Sequence, residues 1–230
     1  MRLDKYLAAS RIGSRSEVKN HIRRGLISIN GSVCKDPAYH VNPADEVCFN
    51  GQKVIYKEHV YYMLNKPAGY VSATEDAHER TVLDLFAENE RKRLFPVGRL
   101  DKDSVGLLIV TDDGELAHRL TSPKKHVDKK YLIRTDAPLN EDDAAAFSEG
   151  MVLSDGTRLK SASLEIDDED PTEATVTISE GKYHQIKRMT EERGKKVLYL
   201  KRLSVGNLKL DPALEEGKYR ELTDEETEMI

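Results

Sequence analysis

No apolar run in this 230-residue chain approaches the roughly 20 residues that a membrane-spanning helix requires, so no membrane partner is expected. The opening stretch MRLDKYLAAS also lacks the apolar segment of a secretory leader. Cysteine is scarce. Cys34 and Cys48 form neither a C-x-x-C pair nor a zinc-like spacing with histidine, which argues against a structural metal and for a reduced, cytoplasmic chain. Neither a G-x-x-x-x-G-K-[ST] loop nor a G-x-G-x-x-G turn occurs, so the common backbone cradles for nucleotide phosphates are missing. There is no self-similarity at solenoid periods and no low-complexity tract. What remains is a soluble globular composition, 33% charged and 38% hydrophobic. The length suits one large domain with one small one.

Charge is unevenly placed. The formal net charge is -5, yet residues 1–35 hold eight Lys or Arg against two Asp or Glu, and residues 211–230 hold two against eight. The stretch EIDDEDPTE, Glu165–Glu173, is acidic as well. Local faces rather than the total set phosphate binding, so the basic N-terminal block is a candidate nucleic-acid surface. The acidic runs read as solvated faces.

The tetrapeptide Arg-Leu-Asp-Lys occurs twice, at residues 2–5 and 99–102. The first copy opens a short amphipathic helix in which Leu3 and Leu7 share the inner side. Asp4 falls in the first turn, where a carboxylate suits the helix dipole, so its job is read as structural. Ser14-Arg15-Ser16-Glu17 has the capping-box pattern and predicts a helix to about Arg24, stopped by Gly25. Val18 and Ile22 would face inward, leaving Arg15, Lys19, His21, Arg23 and Arg24 for the outer surface. Leu26, Ile27 and Ile29 lead into Asn30-Gly31, a pair suited to a type I′ hairpin turn. DEVCFNG closes the block, and residues 51–59 read as a connector. Together RLDKYLAAS, GSRSEVKNHIRRGLISINGSV and DEV resemble the alpha-L RNA-binding module first known from a small-subunit ribosomal protein. That resemblance implies RNA contacts from the basic second helix and the hairpin start, with Arg2, Arg11, Arg15, Lys19, Arg23 and Arg24 as candidates. The module with its connector is expected over residues 1–58.

Beyond it, VYYMLNKPAGYVSA reads as a strand broken by Pro67 and Gly69 and then continuing, and TVLDLFAE as a short helix. GLLIVT is a buried strand, followed by the turn and helix of TDDGELAHRL. KKYLIRT, ATVTISEG and KVLYLKRLSVGNL read as strands, EDDAAAFSEG and HQIKRMTEERG as helices. Sequential strands with few helical crossovers predict an α+β fold over residues 59–230: a mixed, largely antiparallel sheet with peripheral helices. On the helix beginning near His184, Ile186, Met189 and Thr190 share one side, while His184, Lys187 and Glu191 share another. The second Arg-Leu-Asp-Lys lies between a Pro-Val-Gly turn and the buried strand. Asp101 therefore stands at the lip of a rigid element, where ligand-facing side chains concentrate.

VGRLDKDSVGLLIVTDDGELAHRLTSPKK closely resembles the signature motif of the pseudouridine synthases, in the branch usually called the RsuA family. LNKPAGYVSA, HVDKKYLI, GKYHQIKRM and KRLSVGNLKL resemble further motifs in family order, and GKYRELTDEE the usual ending. With the RNA-binding module in front, the resemblance covers nearly the whole chain. It implies a pseudouridine synthase catalytic domain that isomerises a uridine within RNA, with no cofactor and no metal. Asp101 matches the family's catalytic aspartate, an ionised carboxylate at the ribose. Two routes stay open for it: attack on a carbon, or charge stabilisation with proton movement. Lys187 matches the basic position paired with that aspartate, where relatives often carry arginine. A nearby cation keeps a carboxylate charged in a dry pocket, and lysine does so as a point charge without a bidentate fork. Tyr131 matches the tyrosine that packs against the target base. Arg99 is implied to fill the space a flipped base leaves and to hold phosphate. Lys129 belongs to the lysine-x-tyrosine motif and joins the RNA-binding candidates; Lys66 either contacts RNA or is structural beside Pro67. A competing reading groups Asp101, Asp103, Asp112 and Asp113 as a nuclease-like magnesium site, although Asp112-Asp113-Gly114 has the form of a turn.

Lys182-Tyr183-His184-Gln185 resembles the third motif of small-subunit members, where large-subunit members more often carry Asn-Arg-Gln. The implied substrate is one uridine of small-subunit 16S rRNA, uridine 516, met as free RNA or in an assembling small subunit by a monomer. Two alternatives stand: a 23S rRNA synthase of the same family, and a ribosome-assembly factor whose useful act is RNA binding.

Overall fold

The computed structural model describes residues 1–56, 58–122 and 126–230, with the side chain of Asn89 left aside. Lys57 of the expected connector and the Pro123–Lys125 end of the signature stretch lie outside the described residues. The chain divides into two compact units, Met1–His59 and Val60–Ile230.

In the first unit, α1 (Leu3–Ala9) and α2 (Arg15–Arg23) pack on a small antiparallel sheet. Its strands are β1 (Ile27–Ile29), β2 (Ser32–Val33), β3 (Val47–Phe49) and β4 (Gln52–Lys53), in the order β2-β1-β3-β4. The capping box forms: the Glu17 amide donates to Ser14 Oγ at 3.3 Å and the Ser14 amide to Glu17 Oε2 at 2.7 Å. Gly25 stops α2 at a φ of +75°, a left-handed value that costs glycine little. Leu3, Leu7, Val18, Ile22, Ile27 and Val47 form the core. Asn30 and Gly31 both take positive φ, as a type I′ turn requires, and Asn50-Gly51 repeats the device between β3 and β4.

Two expectations for this unit change. Residues 51–54 are not connector, because β4 pairs with β3, Val54 is buried, and the Tyr6 hydroxyl donates to the Val54 carbonyl. His21 is not on the outer surface. Three residues on from Val18, it flanks the inner stripe; its ring packs on Phe49 with centroids 5.1 Å apart, and its Nδ1 is buried without a hydrogen-bond partner among the described residues. Arg2 is engaged, donating from Nε and Nη2 to the buried Asp4 carboxylate at 3.1 Å. The first Arg-Leu-Asp-Lys is thus a structural lock, as read.

The second unit runs β5 (Tyr61–Lys66), α3 (Glu88–Arg91), β6 (Phe95–Val97), β7 (Val105–Thr111), α4 (Gly114–Thr121), β8 (Lys129–Thr135) and α5 (Glu141–Glu149). It continues through β9 (Met151–Val152), β10 (Arg158–Leu159), β11 (Ala162–Ile166), β12 (Glu173–Ile178), α6 (Gln185–Glu192), β13 (Val197–Val205), β14 (Leu208–Lys209), β15 (Tyr219–Glu221) and α7 (Asp224–Glu228). Among the described residues, nine strands form one sheet along the order β11-β12-β8-β13-β7-β5-β15, with β14 beside β13 and β6 beside β7. Within it only β7 and β13 run parallel, so the mixed, largely antiparallel expectation holds. β7 is buried along its whole length. Leu108 and Val110 face a core that includes Phe147 of α5 and Met189 of α6, while Leu107 and Ile109 face Leu116 and Leu120 of α4. A strand covered on both faces reads as a continuous apolar run. In β8, by contrast, Tyr131 and Ile133 are buried and Arg134 is exposed, the alternation of a strand with one covered face.

The strand of VYYMLNKPAGYVSA does not resume after Pro67; beyond it Val71 makes only an isolated bridge to Thr81, and Val82–Leu85 is a single 3-10 turn. The expected Pro-Val-Gly turn is mostly strand: Phe95–Val97 pairs with β7 and the chain turns at Gly98. Where β7 meets β13, Gly106 lies opposite Arg202 at a φ of +99°. A Cβ there would stand 2.8 Å from Arg202 N and closer still to Arg202 O. Gly106→Ala should therefore destabilise the protein by about 3 kcal/mol, from backbone strain plus overpacking. Urea unfolding measures this, and an unchanged midpoint would contradict the close approach of the two strands.

Candidate active site

The site is built where β5 ends and β7 begins. Lys66 continues the inward side of β5 two residues after Leu64 and is wholly buried. Its ammonium donates to the carbonyls of Ser104 at 2.7 Å, Pro67 at 3.0 Å, Asp101 at 3.1 Å and Lys102 at 3.4 Å. The loop from Arg99 to Ser104 is thereby drawn down around one cation. From the side, Ser72 Oγ accepts the Leu100 amide at 3.0 Å and donates to the Leu100 carbonyl at 2.8 Å. The Gly69 amide donates to the Lys102 carbonyl at 2.7 Å. With its backbone held below, the loop turns the Asp101 side chain toward α6.

There Lys187 Nζ lies 3.2 Å from Asp101 Oδ2, and His184 Nε2 lies 3.4 Å from Asp101 Oδ1. Lys187 also holds Asp103, at 2.7 and 2.9 Å from its two oxygens. Burial works against the Lys187 ammonium, but its bonds to Asp103 and Asp101 outweigh that and raise its pKa. Burial likewise pushes Asp103 up, and the Lys187 bond and charge outweigh it, so Asp103 sits below the usual carboxylate value. His184 caps α6 at a φ of +49°. The turn before it is closed by buried Gln185, whose Oε1 accepts the Lys182 amide and whose Nε2 donates to Glu180. Ile186, Met189 and Thr190 face the core as expected, leaving His184 and Lys187 together on the aspartate.

Tyr131, buried on β8, lines the same cleft as Asp101, Arg99, His184 and Lys187. Opposite it on β13 is Arg202, also buried; its Nε donates to the Leu107 carbonyl at 2.6 Å, and its Nη2 has no partner among the described residues. The structure thus brings together the three expected central residues, Asp101, Tyr131 and Lys187, with Arg99 exposed at the rim. It corrects one other. Lys66 has no exposed surface to offer RNA, because its ammonium is spent on the loop. Lys129 is half-buried and donates to the Val127 carbonyl at 2.7 Å, and burial lowers its pKa. In the N-terminal unit Arg11, Arg15, Arg23 and Arg24 are exposed and Lys19 is partly so.

The four-aspartate magnesium cluster does not form. Asp101 and Asp103 precede β7 and Asp112 and Asp113 follow it, seven strand residues apart, which is about 20 Å. Asp112 instead accepts the Val60 amide, and Asp113 caps α4 and accepts the Tyr61 hydroxyl. Sequence reasoning missed His184 as a neighbour of Asp101, Asp103 as a second partner of Lys187, and Arg202. For Lys66 a signal existed: a lysine in phase with Leu64 at the end of a buried strand.

Comparison with known proteins agrees with this arrangement. Residues 60–192 match the RNA pseudouridylate synthase family model, and residues 1–47 match the S4 domain. The chain belongs to the RNA pseudouridylate synthase family. It is 48% identical over 234 residues to an uncharacterised RNA pseudouridine synthase of Bacillus subtilis, covering 100% of this chain and 98% of that protein. It is 40% identical over 228 residues to ribosomal small subunit pseudouridine synthase A of Escherichia coli, covering 98% of each. A crystal structure of a pseudouridylate synthase superposes with a TM-score of 0.71 at 40% identity, over 100% of this chain and 99% of that one. The activity of the chain is accordingly that of a pseudouridine synthase.

Lys66→Met should leave the loop carbonyls without their donor and cost about 3 kcal/mol. Burial lowers Lys66 from 10.5 to about 8, against the upward pull of Asp103 and Asp101. Between those values the unfolded chain keeps a proton that the native chain has lost, so wild type gains stability over the variant as pH rises through this window. Urea midpoints of both proteins at pH about 7 and about 10 check this. A gap that stays constant would contradict a buried ammonium at this position.

Proposed function

We propose that this pseudouridine synthase acts on one uridine of small-subunit 16S rRNA, uridine 516. In this reading Asp101, Lys187 and Tyr131 form the catalytic group and the S4 domain anchors the RNA. The carrying observation is the Asp101 carboxylate, braced by Lys187 at 3.2 Å and His184 at 3.4 Å in the cleft that Tyr131 lines. Its setting is a chain that matches a ribosomal small subunit synthase along 98% of both lengths.

The reaction is an isomerisation, so its atoms balance within the nucleotide. The N1–C1′ bond breaks, the base turns, and a C5–C1′ bond forms; the proton leaving C5 is matched by one gained at N1. Asp101 faces the ribose and supplies negative charge while C1′ is detached from the base, as carboxylates do at sugar carbons. Tyr131 packs on the base, and its hydroxyl takes part in moving the proton from C5 toward N1, giving up its own proton as it accepts the other. The uridine must leave its stack to enter the cleft, at a cost of a few kcal/mol. Arg99, exposed at the rim, occupies the vacated space and meets phosphate. Arg11, Arg15, Lys19, Arg23 and Arg24 supply phosphate contacts from the N-terminal unit, with Arg2 contributing from its pair with Asp4. The protein works as a cytoplasmic monomer on RNA or an assembling small subunit. Among the described residues, no helix is long and apolar enough to cross a membrane.

Pseudouridine mapping tests the assignment: small- and large-subunit rRNA are incubated separately with the protein and each uridine is read out. One new pseudouridine, in the small-subunit RNA, is expected. A product confined to large-subunit RNA would overturn the substrate while keeping the chemistry. No product in either RNA, or in assembling small subunits, would favour an assembly factor.

A further inference from the structure

The turn that leads into α6 carries an aromatic surface that the catalytic group does not use. Tyr183 is 74% exposed, more than any other large apolar side chain among the described residues. Its ring lies on the His184 imidazole with centroids 3.8 Å apart and planes 17° apart. One face of the tyrosine is thus covered and the other is open to solvent. Its hydroxyl has no hydrogen-bond partner among the described residues. The stack is rigid from below, because buried Gln185 closes the turn and His184 is held at a φ of +49°, a conformation uncommon for residues other than glycine. The far edge of the stack reaches Asp101 through His184 Nε2 at 3.4 Å.

We propose that Tyr183 is a stacking platform for an unpaired RNA base, that of a nucleotide flanking the target uridine. The inference rests on the reading that an RNA uridine is delivered to Asp101. A single exposed ring fits a base, since any base has a face to stack while a protein partner would need a contiguous apolar patch. Cations stand on both sides of the ring: Lys182 precedes it, its ammonium held by the Arg158 carbonyl and 3.7 Å from Glu180, and Arg99 is exposed at the rim of the Asp101 cleft. A base on Tyr183 would lie two ring layers from the carboxylate, so it would belong to a neighbour of the uridine and not to the uridine itself. Stacking there replaces part of what the strand loses when the target leaves its own stack.

The chain contains no tryptophan, so Tyr183→Trp in the full-length protein introduces a unique reporter at the platform. Single-stranded RNA carrying the target uridine and its flanks is titrated in, with binding followed independently by anisotropy of labelled RNA. Saturation is expected to quench the tryptophan by about half and to shield it from acrylamide; unchanged emission and unchanged acrylamide access at saturation would overturn the proposal. In parallel, Tyr183→Ala should weaken RNA affinity by about 5- to 150-fold, the range for one base–aromatic stack. That loss should appear in KM more than in kcat, and Tyr183→Phe should stay within about twofold of wild type in affinity. A Tyr183→Ala defect confined to kcat would make the ring a prop for His184 and overturn the platform. The fluorescence arm needs no turnover. Failure of the 16S assignment would therefore show in the mapping experiment and leave this result separately readable.

Discussion

A buried ammonium draws a loop of carbonyls around itself, and the candidate site depends on that attraction. Lys66 has no exposed surface, and a charge removed from water is tolerated only when it is surrounded by opposing dipoles or charges. The carbonyls of Pro67, Asp101, Lys102 and Ser104 meet that need. Backbone groups pointing inward leave the side chains of the same residues to point elsewhere, so the cation beneath the loop governs where Asp101 can project. The anchor is rigid because Lys66 ends β5, which pairs directly with β7 down to the Lys66–Gly106 register. Gly106 in turn lets β13 approach β7 with its backbone, bringing Arg202 opposite Tyr131. Strand pairing, buried charge and the two central side chains of the cleft are one connected arrangement.

On the other side of the loop, charge is arranged with a different emphasis. Lys187 is the partner of Asp101 that the family resemblance implied, but it is bound more closely by Asp103. A lysine can divide itself in this way because its ammonium is a point charge with rotatable donors, where an arginine fork would commit to one carboxylate. His184 meets the second oxygen of Asp101. In the proposed reaction this leaves an aspartate oriented by two neighbours from α6 and its cap, and free on the side that faces the cleft.

Features of local origin were legible in the sequence. The capping box at Ser14, the glycine stop at Gly25, the Asn30-Gly31 turn and the buried run of β7 depend on neighbours a few residues apart, and each formed. The three- and four-residue spacing of Ile186, Met189 and Thr190 separates the core side of α6 from the side that carries Lys187. Short strands such as β6, β9 and β15 carry too few residues to show a period, and went unread. For Lys66 the sequence leaves an RNA contact and a structural role both open, with its phase with Leu64 as the one local hint; the carbonyls that take its ammonium come from a distant loop with no local signature. The partnership of Lys187 with Asp103 spans 84 residues and has no local signature. The two Arg-Leu-Asp-Lys copies make the same point: identical tetrapeptides became a helix lock at Asp4 and a cleft carboxylate at Asp101 because of what surrounds them.

The account stands most directly on the separation of chemistry from binding at Asp101. Asp101→Asn keeps the shape of the side chain and removes its charge. Equilibrium binding and single-turnover pseudouridine formation on the same RNA would measure the two functions side by side. The account predicts that turnover is abolished while affinity stays within a few-fold of wild type. Retained turnover, or a collapse of affinity that by itself explains the lost product, would contradict it.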